Sequence, residues 1–533
     1  MSKSTNILSP VYTDGPHPYY QSVTARDDEN AKARIYKMPD RVIPVIFLPG
    51  VMGSNLKSSK GEKAVWTVND EPSMAIWMAR NSLERKKLLD PENTEVYTMG
   101  PIVTESDQER ALFQSRFSRG WGEVGAMSYG TFLPWLQMAL NDHQMLINNR
   151  TSGNGKKTFR EQLITGITRR AVAKFKLTSS EVGLSYKYLF SVHAVGYNWL
   201  ESNEKSALRL QKQVEKIIRD HKAAGLRCEK VILLTHSMGG LVARYYSEML
   251  GGRERILGIV HGVMPDLGSP MAYKRMKTGE AGVTGKVIGQ NGAEMTAVLA
   301  QSPGPLQLLP GTHYGSGWLK VDGMQHALPK SANPYDEIYL ARSAWWGLCE
   351  ERFINPENVK MDKRQLDKDW KGYDLLLQSE VKSFIEKLNG HYHPCTYAFY
   401  GNDGEKYPSY SVLHWKDTSY MMYPKNNNPN VAEKGIIDYP PQYYSQAVRS
   451  VSLMTDSGEK IHNRFTLAPP KDAGDGTVPV RAAVINSPSC QTQTGLSVDH
   501  EGAYKEEDAR WFALWSIIKI SQNIKQTELA YAE

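Results

Sequence analysis

Val231-Ile232-Leu233-Leu234-Thr235-His236-Ser237-Met238-Gly239-Gly240-Leu241-Val242-Ala243-Arg244 decides how this chain folds. The first four residues are an apolar, β-prone run of the kind that fills a buried strand. A short turn of small residues comes next, then a helix-compatible stretch. A strand that turns sharply into a helix pushes the serine between them into the open, above the helix's first amides. Gly239 and Gly240 remove the Cβ atoms that would hold helix and strand apart. The pattern is that of a nucleophile elbow, with Thr235 standing where G-x-S-x-G has its first glycine. The Met238 N–H, next to the serine, is a candidate oxyanion donor.

Outward from this elbow, strand and helix patterns alternate. Residues 42–48, 188–195, 231–234, 256–261 and 396–400 read as buried strands. Residues 203–221 read as a helix that buries Ala207, Leu210, Val214 and Ile217 on one stripe. Trp511, Leu514, Trp515 and Ile518 at i, i+3, i+4 and i+7 predict an amphipathic last helix packed on the sheet. This alternation means crossover connections and an α/β fold with a mostly parallel sheet. Residues 1–40 read as an N-terminal arm and residues 41–533 as the main domain. Two stretches, 58–185 and 271–390, are too long for loops and read as cap insertions. Their Trp77, Met78, Trp121, Trp135, Met138, Trp345 and Trp346 offer apolar surface to a ligand or fill the insertions' own core. Residues 403–470, rich in Tyr, Pro and Asn, read as an irregular insertion of hairpins.

A serine nucleophile needs a base and an orienting acid. His236 adjoins Ser237, but neighbouring residues at a helix start point apart, so it is a poor partner. His500 is the best base candidate: it comes after Leu496-Ser497-Val498-Asp499 and precedes the last helix. The best acid candidate is Asp475 in Gly474-Asp475-Gly476-Thr477-Val478-Pro479, where flanking glycines make a tight turn. Asp472 and Asp499 are the alternative acids. The order Ser237, Asp475, His500 is that of the α/β hydrolases. A second oxyanion donor is expected in Pro49-Gly50-Val51-Met52-Gly53-Ser54, after the first core strand.

Composition sets wider bounds. The formal charge of +7 is small for 533 residues; it suits an anionic surface without identifying one. No nucleic-acid partner is expected. Cys228, Cys349, Cys395 and Cys490 are scattered, without metal or disulfide-framework spacing. His391, His393 and Cys395 alternate and could share a strand face, but three local ligands leading into a core strand read better as packing than as a metal site. No cofactor is implied. The first residues carry no basic-then-apolar pattern, and no run is long enough to span a bilayer. The expectation is synthesis in the cytoplasm without a signal peptide.

Five blocks together resemble the lecithin–cholesterol acyltransferase-like lipases. They are residues 49–56 with Trp66 beyond, Gly-Tyr-Asn-Trp at 196–199, His-Ser-Met-Gly-Gly at 236–240, Gly-Ser-Pro at 268–270 and Gly-Asp-Gly-Thr-Val-Pro at 474–479. GPI inositol-deacylases share a similar elbow. The resemblance implies an α/β-hydrolase fold with a cap and lipid-ester substrates. It also implies Ser237 as nucleophile, Asp475 as acid, His500 as base and the Met52 and Met238 amides as oxyanion hole. The stretch 193–203 is similar to lipase toxins delivered by bacterial type VI secretion. That resemblance implies action on membrane lipid from a target cell's periplasm, with an immunity protein and a secretion-spike protein as partners. The function expected is a phospholipase A or related lipase working through an acyl-enzyme. The alternatives are an acyltransferase or thioesterase on the same residues, and an inactive lipid-binding module.

Overall fold

The computed structural model describes residues 39–67, 69–145, 157–167, 171–419, 429–438 and 447–531, with four short strands between residues 5 and 35. The expected N-terminal arm lies mostly outside the described residues. A parallel sheet organises the rest. Its strands are β1 (Val45–Leu48), β2 (Val192–Ala194), β3 (Val231–His236), β4 (Ile256–Gly262), β5 (Thr396–Gly401) and β6 (Cys490–Leu496). Their spatial order is β6-β5-β4-β3-β1-β2, with every neighbouring pair parallel. This is the α/β-hydrolase arrangement the sequence analysis expects.

Apolar residues fill the central strands because both sheet faces are covered. Val45, Phe47, Ile232 and Leu234 point to one core, Ile46, Leu48, Val231 and Leu233 to the other. Helices α1 (Asn203–Ala223) and α2 (Gly239–Met249) belong to the second core. The last helix, α3 (Glu507–Ser521), belongs to the first.

Four elements differ from their expected bounds or character. The first strand is shorter than 42–48, because Pro44 has no N–H to give the ladder. Before it, pairing thins to isolated bridges of Arg41 with Arg227 and Val42 with Leu189, which also shortens the strand expected over 188–195. β6 is absent from the sequence reading. Its Cys-Gln-Thr-Gln-Thr-Gly-Leu run is polar because it forms the sheet edge, paired on one side only. α3 is not amphipathic: Phe512, Ala513, Leu514, Ile517, Ile518 and Ile520 are all fully buried. Its outer side is covered by helices Phe132–Met145 and Ser179–Ser185, so both helices belong to the sheet's own core. Trp121 and Trp135 pack there, while Trp77 and Trp345 are buried in other clusters.

Residues 271–390 and 403–470 are not separate in space. Strand Leu319–Val321 from the first joins Leu413–Asp417, Lys460–Leu467, Val448–Met454 and Ile436–Ile437 from the second in one five-stranded sheet. Trp318, Trp345, Trp415 and Phe465 share its core. The excursion after β5 closes on itself: the Asp403 N–H donates to the Gly474 carbonyl at 3.0 Å. The chain thus returns to the end of β5 before it reaches Asp475.

Beneath the sheet, His193 on β2 and His221 on α1 flank Ser191. Their Nε2 atoms lie 3.0 and 2.9 Å from its Oγ. Burial, with His221 adding repulsion, holds His193 well below its ordinary pKa, and burial pushes His221 down to about 4. Both rings are neutral in the folded protein. In the unfolded chain they take up protons below the ordinary value of 6.5. The unfolded state therefore binds more protons between 6.5 and about 4, and stability falls as pH drops through that window. The unfolding midpoint should decline across it, and His221→Gln should flatten the decline. A midpoint that rose on acidification would contradict this.

Candidate active site

Ser237 comes directly after β3 with φ of 51°, a left-handed conformation that few non-glycine residues adopt. Its N–H donates to the Gly262 carbonyl at 2.9 Å, which pins the turn to the end of β4. The Gly240 N–H donates to the Ser237 carbonyl at 2.9 Å and starts α2. Thr235 fits in place of glycine because its buried Oγ1 has a partner, His261 Nδ1 at 3.0 Å.

The loop after β1 turns back on itself. The Gly53 N–H donates to the Gly50 carbonyl at 3.0 Å, and Met52, the third residue of that turn, has φ of 63°. A type II turn requires a positive φ at this position, which glycine usually supplies. Among the described residues, the Met52 and Met238 N–H groups donate to no other protein group. They are open donors on either side of Ser237 in the chain's two turns. The turns can approach because residue 239 lacks a Cβ, which would lie 2.5 Å from the Pro49 carbonyl oxygen and 2.8 Å from that of Leu48.

His500 lies between β6 and α3. Its Nε2 is 2.8 Å from Ser237 Oγ and its Nδ1 is 2.8 Å from Asp475 Oδ2. A carboxylate only accepts, so Nδ1 carries the proton and Nε2 offers its lone pair to the serine hydroxyl. Asp475 is buried, and its Oδ1 accepts the N–H groups of Thr477 at 2.9 Å and Val478 at 2.6 Å. Gly476, with φ of 85°, makes the turn that aims those amides back at the carboxylate. The His500 N–H donates to the Asp475 carbonyl at 2.9 Å, so the two loops are also joined through their backbones. The alternative acids are engaged elsewhere: Asp472 accepts from the Ser411 N–H and Asp499 from the Gly502 N–H.

The structure therefore brings Ser237, His500 and Asp475 together at the carboxyl ends of the strands, where α/β sheets bind ligands. His391, His393 and Cys395 lie at the other end of β5, where His393 Nδ1 accepts the Cys395 N–H at 3.1 Å and Cys395 Sγ accepts from Asn523. Ser237 and His500 line a cavity of about 570 Å³. Met52, Met74, Met127, Met271, Met276 and Met295 supply flexible, polarizable walls. Tyr129 and Arg275, which no sequence pattern marks, also line it. Both come from the long insertions, where no spacing relates them to the elbow.

The profile of the lecithin:cholesterol acyltransferase family matches residues 165–485, a span that holds Ser237 and Asp475. The chain belongs to that family. Among solved structures, a chain of the Tle4-Tli4 complex is similar, with a TM-score of 0.69 at 27% identity over 90% of this chain and 98% of that one. No curated protein matches the sequence. The resemblance drawn from the five motif blocks is correct, and the α/β-hydrolase fold with it.

The contact at Gly239 is testable. The added methyl of Gly239→Ala meets backbone, not a yielding side chain, so the turns must separate. A displacement on this scale costs about a hundredfold in rate. Ester hydrolysis should fall by that order while unfolding stays cooperative. Activity within twofold of the parent would show that the approach does not set the site.

Proposed function

We propose that this protein is a serine-dependent lipid ester hydrolase, a phospholipase A or related lipase. The hydrogen-bonded chain from Asp475 through His500 to Ser237, opening on a methionine-lined cavity, carries the reading. Ser237 Oγ attacks the ester carbonyl as His500 Nε2 takes its proton. Asp475 holds the imidazole and stabilises its charge. The Met52 and Met238 N–H groups meet the oxyanion, one such donor being worth about 3 kcal/mol. His500 then returns the proton to the departing alcohol, leaving Ser237 acylated. Water, deprotonated by His500, then attacks the acyl carbon; the Ser237–acyl bond breaks, His500 returns the proton to Ser237 Oγ, and the fatty acid leaves.

A phospholipid suits the cavity wall. Lys274 and Arg275 share one carboxylate, Glu280, at 2.8 and 2.9 Å. Burial opposes ionisation of Glu280, yet Arg275 and Lys274 hold its pKa down to about 2. Of these three groups Arg275 and Glu280 line the cavity, and Arg275 is the cation there that a lipid phosphate would meet. Arg275 also reaches Thr477 Oγ1, two residues from Asp475, at 3.4 Å. Residues of the 58–185 and 271–390 insertions form the cap over this cavity in our reading, through Met74, Met127 and Met271–Met295.

The biological setting is drawn from the similar chain of the Tle4-Tli4 complex and from the likeness of residues 193–203 to type VI lipase toxins. We read the protein as an antibacterial effector, carried by a secretion-spike protein, acting on membrane lipid from the periplasm, with an immunity protein in the producing cell. The family's acyltransferase name favours a second reading, in which an alcohol resolves the acyl-enzyme.

Mass spectrometry of lipid products tests both. Ser237→Ala should abolish fatty-acid release, and Asp475→Asn should lower it by about 10⁴ through the wrong imidazole tautomer. Retention of more than a few per cent by Ser237→Ala would remove it as nucleophile. An ester formed with added acceptor alcohol, in place of free fatty acid, would favour transfer. With an added export signal the parent should be toxic to bacteria and Ser237→Ala harmless; equal harmlessness would leave only the hydrolase.

A further inference from the structure

His236 makes no hydrogen bond with Ser237, yet its ring joins two parts of the site. The Gly50 N–H, in the loop after β1, donates to the Tyr129 hydroxyl at 3.1 Å. That hydroxyl lies 2.8 Å from His236 Nδ1. His236 Nε2 lies 2.7 Å from the backbone carbonyl oxygen of His500. Tyr129 and His236 are both buried.

Donor and acceptor rules give this chain one direction. A carbonyl oxygen only accepts, so His236 Nε2 carries a proton. Burial, with His500 adding repulsion, pushes the His236 pKa down to about 3, so the ring is neutral and holds that single proton. Nδ1 is then a bare acceptor, and Tyr129 must donate its hydroxyl hydrogen to it. Burial raises the Tyr129 pKa, so the phenol keeps that hydrogen. The Tyr129 oxygen is left free to accept from Gly50.

We propose that Tyr129 and His236 are positioning residues that fix the spacing between the oxyanion loop and the base. Gly50 opens the turn that contains Met52. The backbone of His500 is held at both ends, its N–H by the Asp475 carbonyl and its carbonyl by His236. The chain therefore sets the oxyanion donor and the base against each other across Ser237. It acts through those groups and not on the ester itself. The proposal rests on the proposed roles of Ser237, Met52 and His500 in ester hydrolysis.

Two measurements on the full chain test it. ¹⁵N resonances of the histidines should show His236 protonated at Nε2 and bare at Nδ1 near pH 7, a readout independent of turnover. With a soluble ester, Tyr129→Phe removes both hydrogen bonds of the hydroxyl and should lower kcat at least about tenfold while leaving KM within about twofold, because the loss is felt in the transition state. Affinity for a phosphonate transition-state analogue should fall in proportion. His236→Gln, whose amide can still donate to the His500 carbonyl, should keep more activity than His236→Ala. A proton on Nδ1, an unchanged kcat in Tyr129→Phe, or a rise in KM alone would overturn the proposal, the last because it describes a cavity wall. A parent protein that neither hydrolyses esters nor labels at Ser237 would instead remove the hydrolase reading, and the resonances would still decide the hydrogen-bond chain.

Discussion

The first turn of α2 lies against the carbonyls of Leu48 and Pro49 with only hydrogen at Gly239 between them, and that close approach sets the spacing between the elbow and the oxyanion loop, on which the rest of the site depends. It brings the left-handed turn at Ser237 beside the positive-φ turn at Met52. Neither conformation is favoured for a side-chain-bearing residue. Both are held by bonds to their surroundings: Ser237 to the end of β4, and the Met52 turn to itself and to Tyr129 through Gly50. Open N–H groups at Met52 and Met238 are the product of this constraint. A flexible pair of turns would close those donors on neighbouring carbonyls.

His500 and Asp475 come from separate loops, and sheet topology unites them. β5 and β6 are neighbours, so the loops that leave their carboxyl ends are neighbours too. The long excursion after β5 leaves this relation intact because Asp403 and Gly474 pair at its neck. A change between 404 and 473 can thus leave the acid in place. Here that segment shares a sheet and an aromatic core with residues 319–321. The wall residues Met271, Met276 and Met295 belong to that same core and not to loose loops.

Much of this was legible in the sequence, because an elbow and an acid turn are local patterns. Apolar runs that end in Ser-x-Gly-Gly or Pro-Gly mark both the buried strands and the functional turns at their ends. The edge strand β6 escaped because its outer side is unpaired and its residues are polar. α3 looked amphipathic because spacing shows a stripe and not the helices 132–145 and 179–185 that cover its other side. Pro44 stood in plain view, and the shortening of β1 is a consequence of its missing N–H. Tyr129 and Arg275 could not be read at all. Their value lies in distances to His236, Glu280 and Thr477, which folding alone creates.

The central claim is that Ser237 carries the acyl group between two half-reactions. Acid quenching of the parent protein within the first turnovers on a phospholipid, with peptide mass spectrometry of the quenched protein, tests it directly. The account predicts a fatty-acyl ester on the peptide containing Ser237, formed faster than free fatty acid accumulates. Fatty acid released with no acyl adduct at Ser237, or an adduct on another residue, would contradict it.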